Sequence, residues 1–246
     1  AIVSAPKIDL NMRMRFILSV LTTTILLNII GCKDKDEPAP ATSCLPSELP
    51  FEEGTVLKVT YLSDGKAKQV DWLDTEFDNV YKQLKFTYTN DKLSRVDVIE
   101  DGELGIYHTF EYQNNRMIEN YFSNETGQFE RDSYTIHYLE NDRIIASRYY
   151  PLYAHNVIEE DSTVYTYDSK GNIIHSDQYN GNKAKTVMYD LTYDDKVNPF
   201  KVVGINIDEH EFYDIPNLSN NNILSKKETN FLEDTEDIET ITYTYD

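Results

Sequence analysis

The chain has 246 residues, a formal net charge of −20, 19 tyrosines and two cysteines. An acidic excess of that size repels phosphate backbones and anionic headgroups, which excludes nucleic acid as a partner, and two cysteines exclude a disulfide-built scaffold. The length beyond a leader suits one all-β domain.

Taken from the start, Arg13 and Arg15 precede fifteen residues, Phe16 to Ile30, that are apolar apart from Ser19, Thr22 to Thr24 and Asn28, and the run closes in Ile29-Ile30-Gly31-Cys32. Basic residues, an apolar run, a small residue and then cysteine is the order of a bacterial lipoprotein signal. The run falls short of the roughly 20 apolar residues that a transmembrane helix needs. The expectation is cleavage before Cys32 and lipidation of its thiol, which makes the membrane a partner through the lipid anchor. Several acyl chains on one residue hold stably where a single chain holds only marginally. Residues 1–31 are read as signal peptide, with 1–13 an over-extension ahead of a start at Met12 or Met14. Their removal takes three basic and one acidic residue and leaves a net charge of −22.

Residues 32–53 read as a tether. Lys33-Asp34-Lys35-Asp36-Glu37 is a charged run, and Pro38, Pro40, Pro46 and Pro50 keep the stretch extended, as a spacer that holds a domain off a membrane. Cys44 is left without a partner once Cys32 is lipidated. It reads as a packed free thiol near the start of the domain, the alternative being an exposed reactive one.

Residues 54–246 form one domain built on a repeat. Seven segments share a period-2 pattern with apolar or aromatic residues on one face: Leu57-Val59-Tyr61, Leu84-Phe86-Tyr88, His108-Phe110-Tyr112, Tyr134-Ile136-Tyr138, Thr163-Tyr165-Tyr167, Tyr189-Leu191-Tyr193 and Ile241-Tyr243-Tyr245. The opposite face carries Lys58, Thr87, Glu111, Thr135, His137, Asp190 and their like. Such alternation marks half-buried strands, and the closing tyrosines from Tyr61 to Tyr193 recur every 24 to 29 residues, one hairpin per repeat. Turns follow at Ser63-Asp64-Gly65, Asn90-Asp91, Asn114-Asn115, Asn141-Asp142 and Asp168 to Asn172, each with residues that tolerate positive φ. Return strands are expected at 67–73, 93–100, 117–122, 143–150 and 173–179, with final strands at 223–231 and 238–245. The fold class is all-β: a long antiparallel meander of about twelve strands, curled or partly closed into a barrel-like sheet, because open twisted sheets rarely exceed about ten strands. A lipid-facing barrel is not expected, since Lys85, Glu111 and Asp190 occupy one face and Arg95, Glu119, Arg148 and Asp177 interrupt the returns.

Three resemblances attach to particular residues. Lys33 to Glu37 resembles the export signal of surface-exposed lipoproteins of Bacteroidota, which implies the outer membrane and display on the cell surface, the periplasmic face being the alternative. Tyr165-Thr166-Tyr167-Asp168-Ser169-Lys170-Gly171-Asn172-Ile173-Ile174 resembles the tyrosine-aspartate (YD) repeat of Rhs and teneurin-type shells, in this one copy. The Tyr-x-Tyr hairpins, with Tyr193 to Phe200 and Leu218 to Asn222, resemble small Bacteroidota lipoproteins that carry a domain of unknown function with a porin-like meander. That family implies a fold and an address but no activity, so it lends no site residues.

The pattern breaks between Asn198 and Asp237, where 208–222 reads as a long loop, either functional or a cover over one end of the sheet. Asp208-Glu209-His210-Glu211 offers metal-type ligands but no second histidine at a ligand spacing, and reads as a solvated acidic loop. Glu159-Glu160-Asp161 and the acidic residues from Glu233 to Glu239 are carboxylate runs of the kind glycoside hydrolysis uses, and in so acidic a chain they arise by composition. There is no Gly-x-Ser-x-Gly elbow and no phosphate loop. The expectation is a monomeric, non-catalytic binding or scaffold module with no cofactor and no metal, taking a glycan or peptide on exposed tyrosines. A structural envelope lipoprotein and a hydrolase are the alternatives.

Overall fold

The computed structural model describes residues 25–27, 45–51, 54–124, 127–152, 161–203, 218–241 and 243–245. Its strands are β1 (Ile25–Leu27), β2 (Glu48–Pro50), β3 (Thr55–Tyr61), β4 (Ala67–Asp74), β5 (Asn79–Thr89), β6 (Lys92–Glu100), β7 (Glu103–Gln113), β8 (Arg116–Ser123), β9 (Glu130–Glu140), β10 (Arg143–Pro151), β11 (Asp161–Tyr167), β12 (Ile173–Asn180), β13 (Lys185–Val197), β14 (Asn221–Asn230), β15 (Thr235–Thr240) and β16 (Tyr243–Tyr245), with one short helix, α1 (Pro199–Val203), before β14. Strands β2 to β15 make a single fourteen-stranded antiparallel sheet in which each strand pairs with its neighbours in sequence. The sheet curls without closing, and β2 and β15 are its edges.

The alternation does its expected work in the first half. Leu57 faces Trp72 across β3 and β4, while Val59, Val70, Leu84 and Val98 form a cross-strand row through β6. All are nearly or fully buried, together with Leu49, Phe86, Val96, Phe110, Met117 and Ile144. Each such side chain contributes about 1.5–3 kcal/mol by leaving water. A smaller cluster, Ile173, Leu191 and Ile223, repeats the arrangement in β12 to β14.

The two-residue turns have the mirror-image geometry that right-twisted hairpins need, with positive φ at Asn90 and Asp91, at Asp101 and Gly102, and at Asn141 and Asp142. The repeated tyrosine has a second role beyond filling the core. A register shift falls immediately before Tyr61, Tyr88, Tyr167 and Tyr193. Three of these rings then send the hydroxyl back to the start of an upstream return strand: Tyr88 to the carbonyl of Ala67, first in β4 (2.9 Å), Tyr167 to that of Ile144, second in β10 (2.7 Å), and Tyr193 to that of Ile173, first in β12 (2.5 Å). Tyr61, which has no upstream hairpin, donates to the Pro46 carbonyl instead.

The chain end departs from the sequence pattern. The expected strand over 238–245 is divided: β15 stops at Thr240, Ile241 donates its N–H to the Leu224 carbonyl (2.8 Å) and packs on the second cluster, and β16 pairs in parallel with β1. All six residues of β15 are exposed, so no apolar face holds that strand on the sheet beyond its ladder. Pro199-Phe200 begins α1: Asn198 accepts the Phe200 N–H on its side chain (3.0 Å), and proline suits the first helical position.

Candidate functional site

One strand reverses its expected faces. In β9 the sequence pattern puts Tyr134, Ile136 and Tyr138 in the core and Thr135 and His137 in solvent; the structure exchanges the two faces, burying His137 and leaving Tyr134, Ile136 and Tyr138 half-buried. Register decides it. Thr135 lies across from Glu119, and His137 lies across from Met117 on one side and Ser147 on the other, all on the core-bearing face. Tyr134, Ile136 and Tyr138 therefore take the other face, where Tyr134 stacks on Tyr150 (4.8 Å between ring centres) and the Arg116 and Arg148 guanidinium groups lie over Tyr138.

The consequence is that the apolar core gives way to a polar floor between β7 and β11. Cross-strand partners there form three rows: His108, Tyr121 and Ser133; Glu119, Thr135, Tyr149 and Asp161; His137, Ser147 and Thr163. These side chains line a cavity of about 350 Å³.

Glu119 is the centre of the floor. It is 5 % exposed, between His108 (0 %) and His137 (3 %). Its Oε1 lies 2.8 Å from His108 Nδ1 and its Oε2 lies 3.0 Å from His137 Nε2. Burial alone would raise the Glu119 carboxyl, but the close contacts from His108 and His137 outweigh it and hold the group lowered to about 2. A carboxylate has only acceptors, so the proton of His137 sits on Nε2, and the opposite nitrogen, Nδ1, meets Ser147 Oγ at 2.8 Å. Ser147, His137 and Glu119 are thus a hydrogen-bonded relay across three adjacent strands, with His108 Nδ1 in close contact at its end. Among the described residues, no three or more His, Cys, Asp or Glu are grouped so as to hold a metal ion.

Behind the floor, on the opposite face, Arg131 donates to the Asn120 side-chain oxygen (2.9 Å), whose amide reaches Glu111 (3.2 Å) and Thr109 (3.3 Å). Asn120 is 2 % exposed, so this network satisfies a buried amide directly beneath the site.

Cys32, Cys44, Asp208 to Glu211 and Glu159-Glu160 fall outside the described residues. Asp161 opens β11 at the cavity. The acidic run from Glu233 to Glu239 lies on the exposed edge hairpin, where Glu236 and Glu239 face Lys227 (2.9 Å) and Lys226 (3.7 Å). The described end of the 208–222 loop acts as a clasp. Asn221 N–H and side-chain oxygen bind the Asn172 amide group (2.8 and 3.0 Å), Asn222 binds the Asp194 carboxylate, and Asn220 Nδ2 reaches the Lys170 carbonyl (2.5 Å). The loop thereby docks on the turn that resembles a YD repeat, in which Asp168 Oδ1 accepts the N–H groups of Lys170 (2.8 Å) and Asn172 (2.9 Å).

No family model and no curated protein matches the chain. Among solved structures it is similar to a porin-like protein from Bacteroides vulgatus ATCC 8482, at 14 % identity over 81 % of this chain and 85 % of that one, with a TM-score of 0.36. It is also similar to a porin-like protein from Bacteroides uniformis ATCC 8492, at 12 % identity over 78 % of each chain, with a TM-score of 0.37. Likenesses this distant do not bear on the site.

Proposed function

We propose that this chain is a lipid-anchored binding module of the outer membrane, held at the cell surface by Cys32, and that its ligand is a small glycan seated on the polar floor of the curled sheet. The observation that carries the reading is the cavity itself: about 350 Å³, walled by Tyr121, Tyr149 and Tyr165 and floored by the hydroxyls of Ser133, Thr135, Ser147 and Thr163. Its size falls at the small end of the roughly 300–1,000 Å³ of ligand pockets. Hydroxyl groups that both donate and accept match a polyol, and tyrosine rings offer flat apolar faces to sugar carbons. The Glu119 carboxylate is buried with each oxygen against a histidine nitrogen, so it is already engaged within the protein and the floor offers a ligand mainly hydroxyls. The anchor rests on the Arg13 to Cys32 pattern, and surface display rests on Lys33 to Glu37.

The test is a glycan array probed with the full chain, followed by calorimetry on the hits. A bound neutral oligosaccharide whose affinity falls roughly tenfold in Tyr149→Ala supports the reading, that being the scale of one lost aromatic contact. Affinity unchanged in that variant, or capture of peptides in place of glycans, overturns it.

A further inference from the structure

We propose that Ser147 is the nucleophile of an ester-cleaving site, with His137 as its general base and Glu119 as the group that positions His137. The substrate class is an O-acyl ester of the small hydroxylated ligand inferred above, and the proposal rests on that reading of the cavity. Three observations lead to it. Ser147 Oγ stands 2.8 Å from His137 Nδ1, and His137 Nε2 stands 3.0 Å from Glu119 Oε2, so nucleophile, base and orienting carboxylate are joined in the order that activates a hydroxyl. With Nε2 protonated toward Glu119, the Nδ1 lone pair faces Ser147 and takes its O–H. All three residues sit on consecutive strands, β8, β9 and β10, and line the cavity, so the constellation is rigid and open to a ligand.

The chemistry balances with water as the only co-reactant. Ser147 Oγ adds to the ester carbonyl carbon while its proton passes to His137 Nδ1, and the carbonyl π pair moves to oxygen. Collapse breaks the bond to the alkoxide, which leaves as an alcohol with the proton from Nδ1. Water then adds to the acyl group on Ser147, giving its proton to Nδ1. The acid departs as Ser147 Oγ recovers that proton. The surroundings select esters over amides. Backbone N–H groups of inner strands are spent on the sheet ladders, so the developing oxyanion meets side-chain hydroxyls, of which Thr163, directly across from Ser147, is the nearest in register. Weaker oxyanion support suits a good leaving group.

The full chain is treated with a fluorophosphonate probe, and the adduct is mapped by mass spectrometry; in parallel, turnover is followed on 4-nitrophenyl acetate and on acetylated xylo-oligosaccharides. The expected result is a single adduct on Ser147 and acetate release that falls to background in Ser147→Ala and by about a thousandfold or more in His137→Gln, with far-UV dichroism retained. Glu119→Gln lowers turnover and moves its pH profile, and Glu119→Asp recovers part of the loss, which a purely structural carboxylate would not produce. A folded wild-type chain with no adduct on Ser147 and no acetate release overturns the proposal, and the relay is then a structural network. In that outcome glycan binding on the array leaves the binding reading standing. Adduct and turnover without any glycan bound remove the binding reading and keep the ester-cleaving one.

Discussion

The Tyr193 hydroxyl donates to the Ile173 carbonyl, twenty residues upstream, and the same hydroxyl meets Ser219 Oγ at 2.9 Å. One side chain thus ties β13 to the start of β12 and to the segment that returns into β14. Ser219 in turn accepts the Ile173 N–H (3.1 Å), so both backbone groups of Ile173 are served from outside its ladder. Tyr193→Phe leaves a buried carbonyl and a fully buried serine short of a partner, and should cost about 1–3 kcal/mol, against about 1 kcal/mol for Tyr88→Phe, which loses a single bond. Urea midpoints at constant slope measure the difference.

These tyrosines also set an alkaline limit. Burial pushes the hydroxyls of Tyr61, Tyr88 and Tyr167 up to about 12, and it raises Tyr193 as well. A phenol raised in the folded state above its ordinary 10 contributes stability that is whole below pH 10 and is lost as pH climbs from 10 to 12. The urea midpoint should therefore drop through that window, and Tyr167→Phe should flatten the drop while starting lower. An equally steep fall in the variant would refute this.

Gly171 is a point where backbone and space agree. Its φ is +87°, and a Cβ there would stand 2.6 Å from Asn220 Nδ2, in the clasp that holds the returning loop. Gly171→Ala should destabilise by roughly 1–3 kcal/mol. Double mutation with Asn220→Ala should recover the steric part, since removing the amide clears the clash and leaves the strain. Thermal melts of the two singles and the double decide it.

Glu119 governs the acid side. Its carboxyl is held at about 2 when folded against an ordinary 4.5, so it contributes stability above pH 4.5 that disappears as pH falls toward 2. For a fully buried group that amounts to a few kcal/mol. Glu119→Gln should lower the midpoint at pH 7 and flatten the acid limb; an acid limb unchanged in the variant would show that the carboxylate is not the titrating group.

The meander was readable from the sequence because a hairpin is a local object: alternation, a turn residue with positive φ and a return strand fit inside one 24-to-29-residue stretch. The relay was not, because His108, Glu119, His137 and Ser147 each look like a stray polar residue on its own strand, and only lateral register brings them together. Alternation misled over the faces of β9, and that exchange of faces is what brings His137 to Glu119. A hydrophobic count assigned Tyr134, Ile136 and Tyr138 to the core, but the arginines and Tyr150 on the other face provide them cover, and the partners of Glu119 had to come from somewhere. A local preference that yields at the proposed site is the expected kind of failure. The tyrosine ties had a visible trace in the repeat, although sequence alone assigns the rings to packing and leaves the hydroxyls without a task.

The anchor has its own test. Acyl chains attach only to the Cys32 thiol, so Cys32→Ser should abolish palmitate labelling and leave a longer, uncleaved chain on a gel. Labelling and processing unchanged in the variant would remove the lipid anchor from the proposed function.

Strictly sequential pairing across fourteen strands also fixes how such a chain can come into being. Within that sheet every ladder joins a segment to the one made just before it, so none of its strands waits for a distant partner, and only the short parallel pair of β1 and β16 closes a large loop. A chain delivered from its N-terminal side can add one hairpin at a time, with Tyr88, Tyr167 and Tyr193 each locking onto a carbonyl already in place. The polar floor, made of the middle strands, is then laid on a finished apolar half before β12 to β15 are added.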